Sequence, residues 1–109
     1  PVGAKECMHM SNYILVVQID VPDEHEAEFN RLYDGEHVPN LKSVKGVSGA
    51  QRYKLEGEAT DMLRYLAIYQ IDSPEVTESA EWQEKATTPG WMEVRAHVKT
   101  VRRGLYGSI

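Results

Sequence analysis

A chain of 109 residues has room for one domain around one core, and is too short for separate cofactor and substrate domains. Its apolar fraction of 41% and charged fraction of 27% are those of a globular chain, and no apolar run approaches the roughly 18 residues that cross a bilayer, so neither a membrane span nor compositional disorder is expected. The formal charge of −5, with Arg102-Arg103 the only adjacent basic pair, excludes the concentrated basic face that nucleic acid or an anionic membrane requires.

The opening PVGAKECMHMSN is polar and aperiodic, and Met8 or Met10 would serve as a natural start, so residues 1–11 read as a leader, disordered or added by cloning, ahead of a single domain over residues 12–109. Pro1 lies about ten residues ahead of any strand, unlike the amino-terminal proline base of tautomerases. The single cysteine, Cys7, has no partner for an internal disulfide, and no charged-then-apolar signal segment opens the chain. A cytoplasmic protein is the expectation.

NYILVVQIDV, from Asn12 to Val21, is a β-branched and aliphatic run of strand length ended by Pro22. Asp23 then offers an N-cap with Glu26 at the third helical position, and Glu24 and Glu28 place negative charge near the positive end of a helix starting at about residue 24. Phe29, Leu32, Tyr33, His37 and Leu41, spaced by three and four, form its inward stripe, which puts His37 on the buried side. Pro39 disfavours α geometry at Val38 and removes a donor, so the helix is predicted to end or kink there, with a looser turn over residues 40–44. KGVSGAQRYKL after Gly46 and DMLRYLAIYQID after EGEATD read as a hairpin. Ser73-Pro74-Glu75 opens a second helix reaching about Ala86, TTPGW breaks the chain, and HVKTVRRGLYGSI alternates as a last strand.

The order βαββαβ predicts an α+β, ferredoxin-like domain: a four-stranded antiparallel sheet with both helices on one face. The other face, carrying alternate residues of four apolar strands, would be a large exposed patch on a monomer, and a homodimer is the simplest way to cover it. RNA-recognition domains share this order, and RYLAIYQI would offer Tyr65 and Tyr69 for base stacking, but the basic-glycine start of their motif is missing and the acidic balance opposes RNA.

LYDGEHVPNLKSVKGVSGAQRY, RYLAIYQIDSPE and RRGLY, in this order, resemble the EthD-like small proteins of the dimeric α+β-barrel superfamily, from about Tyr13 to the end. The Tyr-x-x-x-His-x-Pro pattern at Tyr33, His37 and Pro39 carries the resemblance in combination with the valine-glycine-type turn into an Arg-Tyr strand that follows it. The resemblance implies a dimeric α+β barrel closed through the open sheet faces, with a pocket in each chain between sheet and helices. Relatives of that kind include cofactor-free monooxygenases, lactone isomerases, polyketide cyclases, hydroxynitrile lyases, haem-dependent enzymes and stress proteins, so the fold alone fixes no reaction.

His37 is the leading catalytic candidate, because an imidazole exchanges protons near neutral pH. Asp34, three residues earlier, would orient the ring as a carboxylate partner. The competing reading has the ring satisfying a carbonyl at the Pro39 kink and Asp34 as a solvated helix residue. Tyr33, Tyr53, Tyr69, Trp82 and Trp91 are candidates to line an aromatic pocket, with core or dimer contact as the alternative and one of the two tryptophans favoured to touch ligand. Arg95 and His97 follow the TTPGW break, where a loop would bring them over the pocket mouth. His9, His25, His37 and His97 show no metal-ligand spacing, and no phosphate loop or nucleophile elbow is present, so neither metal nor cofactor is expected. The expectation is a cofactor-free enzyme acting on a small apolar or aromatic carbonyl compound, by isomerisation, cyclisation, lyase chemistry or oxygenation, with His37 as general acid or base. The alternative is a non-catalytic barrel, either a small-ligand carrier or a stress-responsive protein.

Overall fold

In a computed structural model of the chain, residues 12–57 and 61–109 are described. The proposed leader, with Cys7, lies outside them.

Strand β1 (Tyr13–Asp20) runs down the middle of a four-stranded sheet. It is followed by helix α1 (Asp23–Leu32), a π-helical turn (Tyr33–His37) and helix α2 (Val38–Lys42). Strands β2 (Val47–Lys54) and β3 (Tyr65–Ile71) form the hairpin, with a bulge between Val47 and Gly49. A 3-10 turn (Pro74–Glu78), helix α3 (Ala80–Ala86) and helix α4 (Pro89–Arg95) lead to β4 (Thr100–Gly107). The sheet order is β4-β1-β3-β2 and every pairing is antiparallel, the split-βαβ arrangement expected from the sequence.

Strand parity divides the sheet into two faces. Leu15 and Ile19 of β1 and Tyr65, Ala67, Tyr69 and Ile71 of β3 turn inward against Phe29, Leu32, Tyr33, Leu41, Trp82, Trp91 and Val94 of the helical layer, and all are buried. Each large apolar side chain removed from water in this way contributes about 1.5–3 kcal/mol before conformational entropy is subtracted. The opposite face carries Ile14, Val16, Leu66 and Ile68, with Tyr53 and Tyr106 exposed beside them, and no helix among the described residues covers it. Tyr53 therefore lies across the sheet from the interior, away from any pocket beneath the helices.

Local chemistry departs from the sequence reading in three places. The capping box at Asp23 does not form: Pro22 holds the N-cap position without a side-chain bond. Glu26 instead accepts from the Tyr65 hydroxyl and lies 3.2 Å from Arg64 Nη1, and a cation and a phenol hold a carboxylate better than an exposed backbone N–H. Pro39 does not end the helix. It enters the first turn of α2, and the ladder widens ahead of it, so that the N–H of Val38 donates to the carbonyl of Tyr33, five residues back. Finally, Ser73-Pro74 opens only a 3-10 turn; the helix proper begins after Ser79, whose hydroxyl accepts from the Trp82 N–H at 3.1 Å.

Candidate active site

The π turn sets the site. Because Pro39 has no N–H, the regular ladder cannot close on the carbonyl four residues before it; Tyr33 and His37 stand at the two ends of the widened turn and both are buried. Helix α4 closes over them. TTPGW was expected to break the chain; instead Thr88 takes the N-cap position, Pro89 starts a helix as Pro74 starts its turn, and Trp91 drops into the layer beneath. The Thr88 hydroxyl donates to Glu36 of the π turn. Gly90 leaves room for the side chains of the facing helix, since a Cβ there would stand 3.2 Å from both Leu32 Cδ1 and Glu36 Oε1.

The imidazole of His37 stacks on the indole of Trp91, centroids 3.9 Å apart and planes at 18°, and meets the Tyr33 ring edge-on at 5.2 Å. It is 7% exposed, and its Nδ1 is buried without a hydrogen-bond partner. No carbonyl and no carboxylate among the described residues bonds the ring, so the carbonyl at the proline kink does not hold it. Burial, and secondarily the charge of Arg95, pushes the imidazole down to about 4, so the ring is neutral at physiological pH. It faces a cavity of about 260 Å³ between the β1–β4 half of the sheet and the helices.

Tyr33, Tyr69, Trp82, Trp91 and Arg95 line that cavity with His37, together with Leu15, Val17 and Val101 of the sheet. Both tryptophans reach the cavity, where at most one was expected to touch ligand. The hydroxyls of Tyr69 and Tyr33 are 3.4 Å apart, Tyr69 donating. Burial pushes both phenols up, so they are neutral walls and hydrogen-bonding groups with no phenolate character.

Asp34 is not brought to His37. Its carboxylate accepts from Arg52 Nη1 at 2.8 Å and is 66% exposed, because the widened turn rotates it to the opposite flank. His97 is not at the cavity either: it stacks on His25, centroids 3.8 Å apart, where α4 runs out beside the start of α1. Arg95 reaches the cavity from the last turn of α4 rather than from a loop.

Two arginines carry roles that the sequence did not suggest. Arg52 of β2 crosses the buried layer with Nη2 2.7 Å from Asn30 Oδ1 and its guanidinium 4.3 Å above the Tyr33 ring, so it braces the aromatic wall from behind. Arg103 of β4 lines the cavity opposite Val17. Its inward parity was available from the alternation of the last strand, but only once the register was known.

No protein-family model and no curated protein matches the chain. Solved structures do. An EthD family protein from Bacillus halodurans is 15% identical, over 84% of this chain and 95% of that one, with a TM-score of 0.61. A dimeric ferredoxin-like protein from an uncultured marine organism is 14% identical over 96% and 94%, with a TM-score of 0.65. SnoaB, a cofactor-independent oxygenase from Streptomyces nogalater, is 17% identical over 90% and 94%, with a TM-score of 0.60. At these identities the likeness establishes the fold, and the ferredoxin-like architecture read from the sequence is the one observed.

Proposed function

We propose that the chain is an enzyme that needs no cofactor and acts on a small apolar or aromatic carbonyl compound, with His37 as the group that takes and returns a proton. The observation that carries this reading is the buried imidazole itself, which is neutral, unbonded and turned toward a cavity walled by Tyr33, Tyr69, Trp82 and Trp91. The buried, unpartnered Nδ1 costs about 1–3 kcal/mol, so an imidazole at this wall is retained against its burial cost, as groups with a chemical role are. The ring starts as an acceptor. Once a substrate C–H or O–H is deprotonated, the imidazolium and the new anion stabilise each other in a dry site, which offsets the burial that weakens the free base. Isomerisation, cyclisation, lyase chemistry and oxygenation all begin with such a step. SnoaB, alike in fold, is a cofactor-independent oxygenase, so this architecture accommodates chemistry of that kind.

The proposal includes a homodimer closed through the uncovered sheet face and working in the cytoplasm; a ferredoxin-like protein of the same fold is dimeric. Among the described residues no helix is long and apolar enough to cross a membrane. The carrier reading is favoured by one observation: Nδ1 has no partner to fix the tautomer, as a catalytic histidine commonly has.

The test is native mass spectrometry of protein purified from its own host, to find a retained small molecule, followed by turnover of that compound. His37→Gln that binds the compound and fails to convert it supports catalysis. A compound that parent and variant hold equally and leave unchanged makes the protein a carrier.

A further inference from the structure

Arg95 and Arg103 reach the cavity from opposite layers, the first from the end of α4 and the second from edge strand β4. Neither makes an ion pair or a hydrogen bond with its side chain among the described residues, although acidic residues outnumber basic ones, 17 to 12, in the whole chain. Arg31, Arg52 and Arg64 all have carboxylate partners. Among the described residues no Asp or Glu lines the cavity. Among the described residues the site thus presents two exposed guanidinium groups, neither compensated by a carboxylate, at the rim of a partly open, aromatic-walled space.

We propose that the ligand of this cavity is a small-ring carboxylate, its ring against the aromatic wall and its carboxylate held by Arg95 and Arg103. Guanidinium groups offer planar pairs of donors that match a carboxylate, and two of them converging from opposite layers would hold it even where their outer sides meet solvent. A space of about 260 Å³ lies just below the ~300–1,000 Å³ usual for drug-sized ligands, which suits one ring better than a fused system. A phosphate is the poorer fit. Dianionic groups are served by helix N-termini, whereas the end of α4 that carries Arg95 is its C-terminus, whose partial negative charge opposes a second negative charge. The fields of both arginines reach the site: Arg95 acts on His37, and Arg103 on Tyr33 and Tyr69.

This inference rests on the cavity being the ligand site proposed above, and its test is separate from that of catalysis. Trp82 and Trp91 are the only tryptophans and both line the cavity, so their fluorescence reports occupancy. Benzoate, its neutral counterpart benzamide and phenyl phosphate would be titrated into the parent protein, Arg95→Gln, Arg103→Gln and the double variant. The expected result is saturable benzoate binding at least about tenfold tighter than benzamide, lost by about tenfold or more in each single variant, with benzamide affinity unchanged throughout. Added salt should weaken benzoate and not benzamide. Benzamide binding as tightly as benzoate, tighter binding of phenyl phosphate, a double variant that keeps parental benzoate affinity, or no saturable benzoate binding at millimolar concentration would each overturn the proposal. None of these results bears on whether His37→Gln abolishes turnover of a retained compound, so the two readings fail independently.

Discussion

His37 and Trp91 lie face to face, imidazole on indole, with centroids 3.9 Å apart and an 18° angle between planes. The contact joins a π turn to a helix that begins fifty residues later in the chain, and it removes one whole face of the imidazole from water. A ring dried in this way, and unbonded at Nδ1, holds a proton poorly, which is why it stands at about 4 rather than near 6.5.

The first prediction is a pH dependence. Unfolding exposes His37 and returns it to about 6.5, so between about 6.5 and 4 the unfolded chain binds the extra proton. Stability from this group is complete above pH 6.5 and falls as the pH drops toward 4, by about 3 kcal/mol at 1.36 kcal/mol per pH unit. Urea unfolding of the parent and His37→Gln across this interval should show a slope in the parent that the variant lacks. A proton NMR titration should place the His37 ring near 4, and Trp91→Leu, which uncovers it, should raise that value. A ring that titrates near 6.5 in the folded parent would refute the buried-base picture.

Arg52 provides the second. Its guanidinium, 12% exposed, bonds Asn30 and lies over Tyr33, whereas its carboxylate partner Asp34 is solvated. Arg52→Met should therefore cost about 1–3 kcal/mol through the lost buried bond and ring contact, and Arg52→Lys should recover only part, since it keeps the charge and loses the fork. Asp34→Asn should stay within about 1 kcal/mol of the parent, as exposed pairs do. It should also leave the His37 titration in place; a shift there would return Asp34 to the role of imidazole partner.

Gly46 gives a prediction about stability alone. Its φ of +95° is strained for any side chain, and a Cβ would meet Val76 Cγ2 at 2.6 Å, while its carbonyl is tied by the Asp72 N–H at 2.8 Å. Gly46→Ala should destabilise by about 1–3 kcal/mol in denaturant titration. Adding Val76→Ala should relieve the contact and leave the backbone strain.

Assembly is tested at Ile68, which sits mid-sheet on the uncovered face, opposite Val16 and Gln51. Sedimentation equilibrium at low micromolar concentration should give twice the chain mass for the parent and a single chain mass for Ile68→Asp. A parent that is monomeric would remove the barrel from the proposal.

The sheet, its order and the inward stripe through His37 were legible because periods of two and of three to four are written in the residues themselves. Tyr33, Tyr69, Trp82 and Trp91 were legible as pocket candidates from their aromatic character, and Arg95 was named on the expectation of a loop; the structure brings all five to the cavity, Arg95 from a helix. Tyr53 and Asp34 went astray because placement depends on register and on turn width: one residue of parity puts Tyr53 on the far face, and the π turn carries Asp34 to Arg52. Helix α4 was missed although Thr88-Pro89 has the same start signal as Ser73-Pro74; a glycine directly after the proline made a break look better than a first turn. Arg103 lay hidden because nothing local tells which edge of a sheet borders a cavity.

The central claim is that His37 removes a proton from a carbonyl compound in the cavity, and carbon–hydrogen exchange reads that step without knowledge of the natural substrate. Phenylacetone, a neutral single-ring ketone with acidic C–H bonds, would be incubated with the protein in D2O at neutral pH and its deuterium content followed by NMR. The account predicts exchange above the buffer rate in the parent and a loss of that excess by about 10²- to 10⁴-fold in His37→Gln, whose fold and melting temperature match the parent. Exchange at the buffer rate in the parent, or equal exchange in parent and variant, would contradict it.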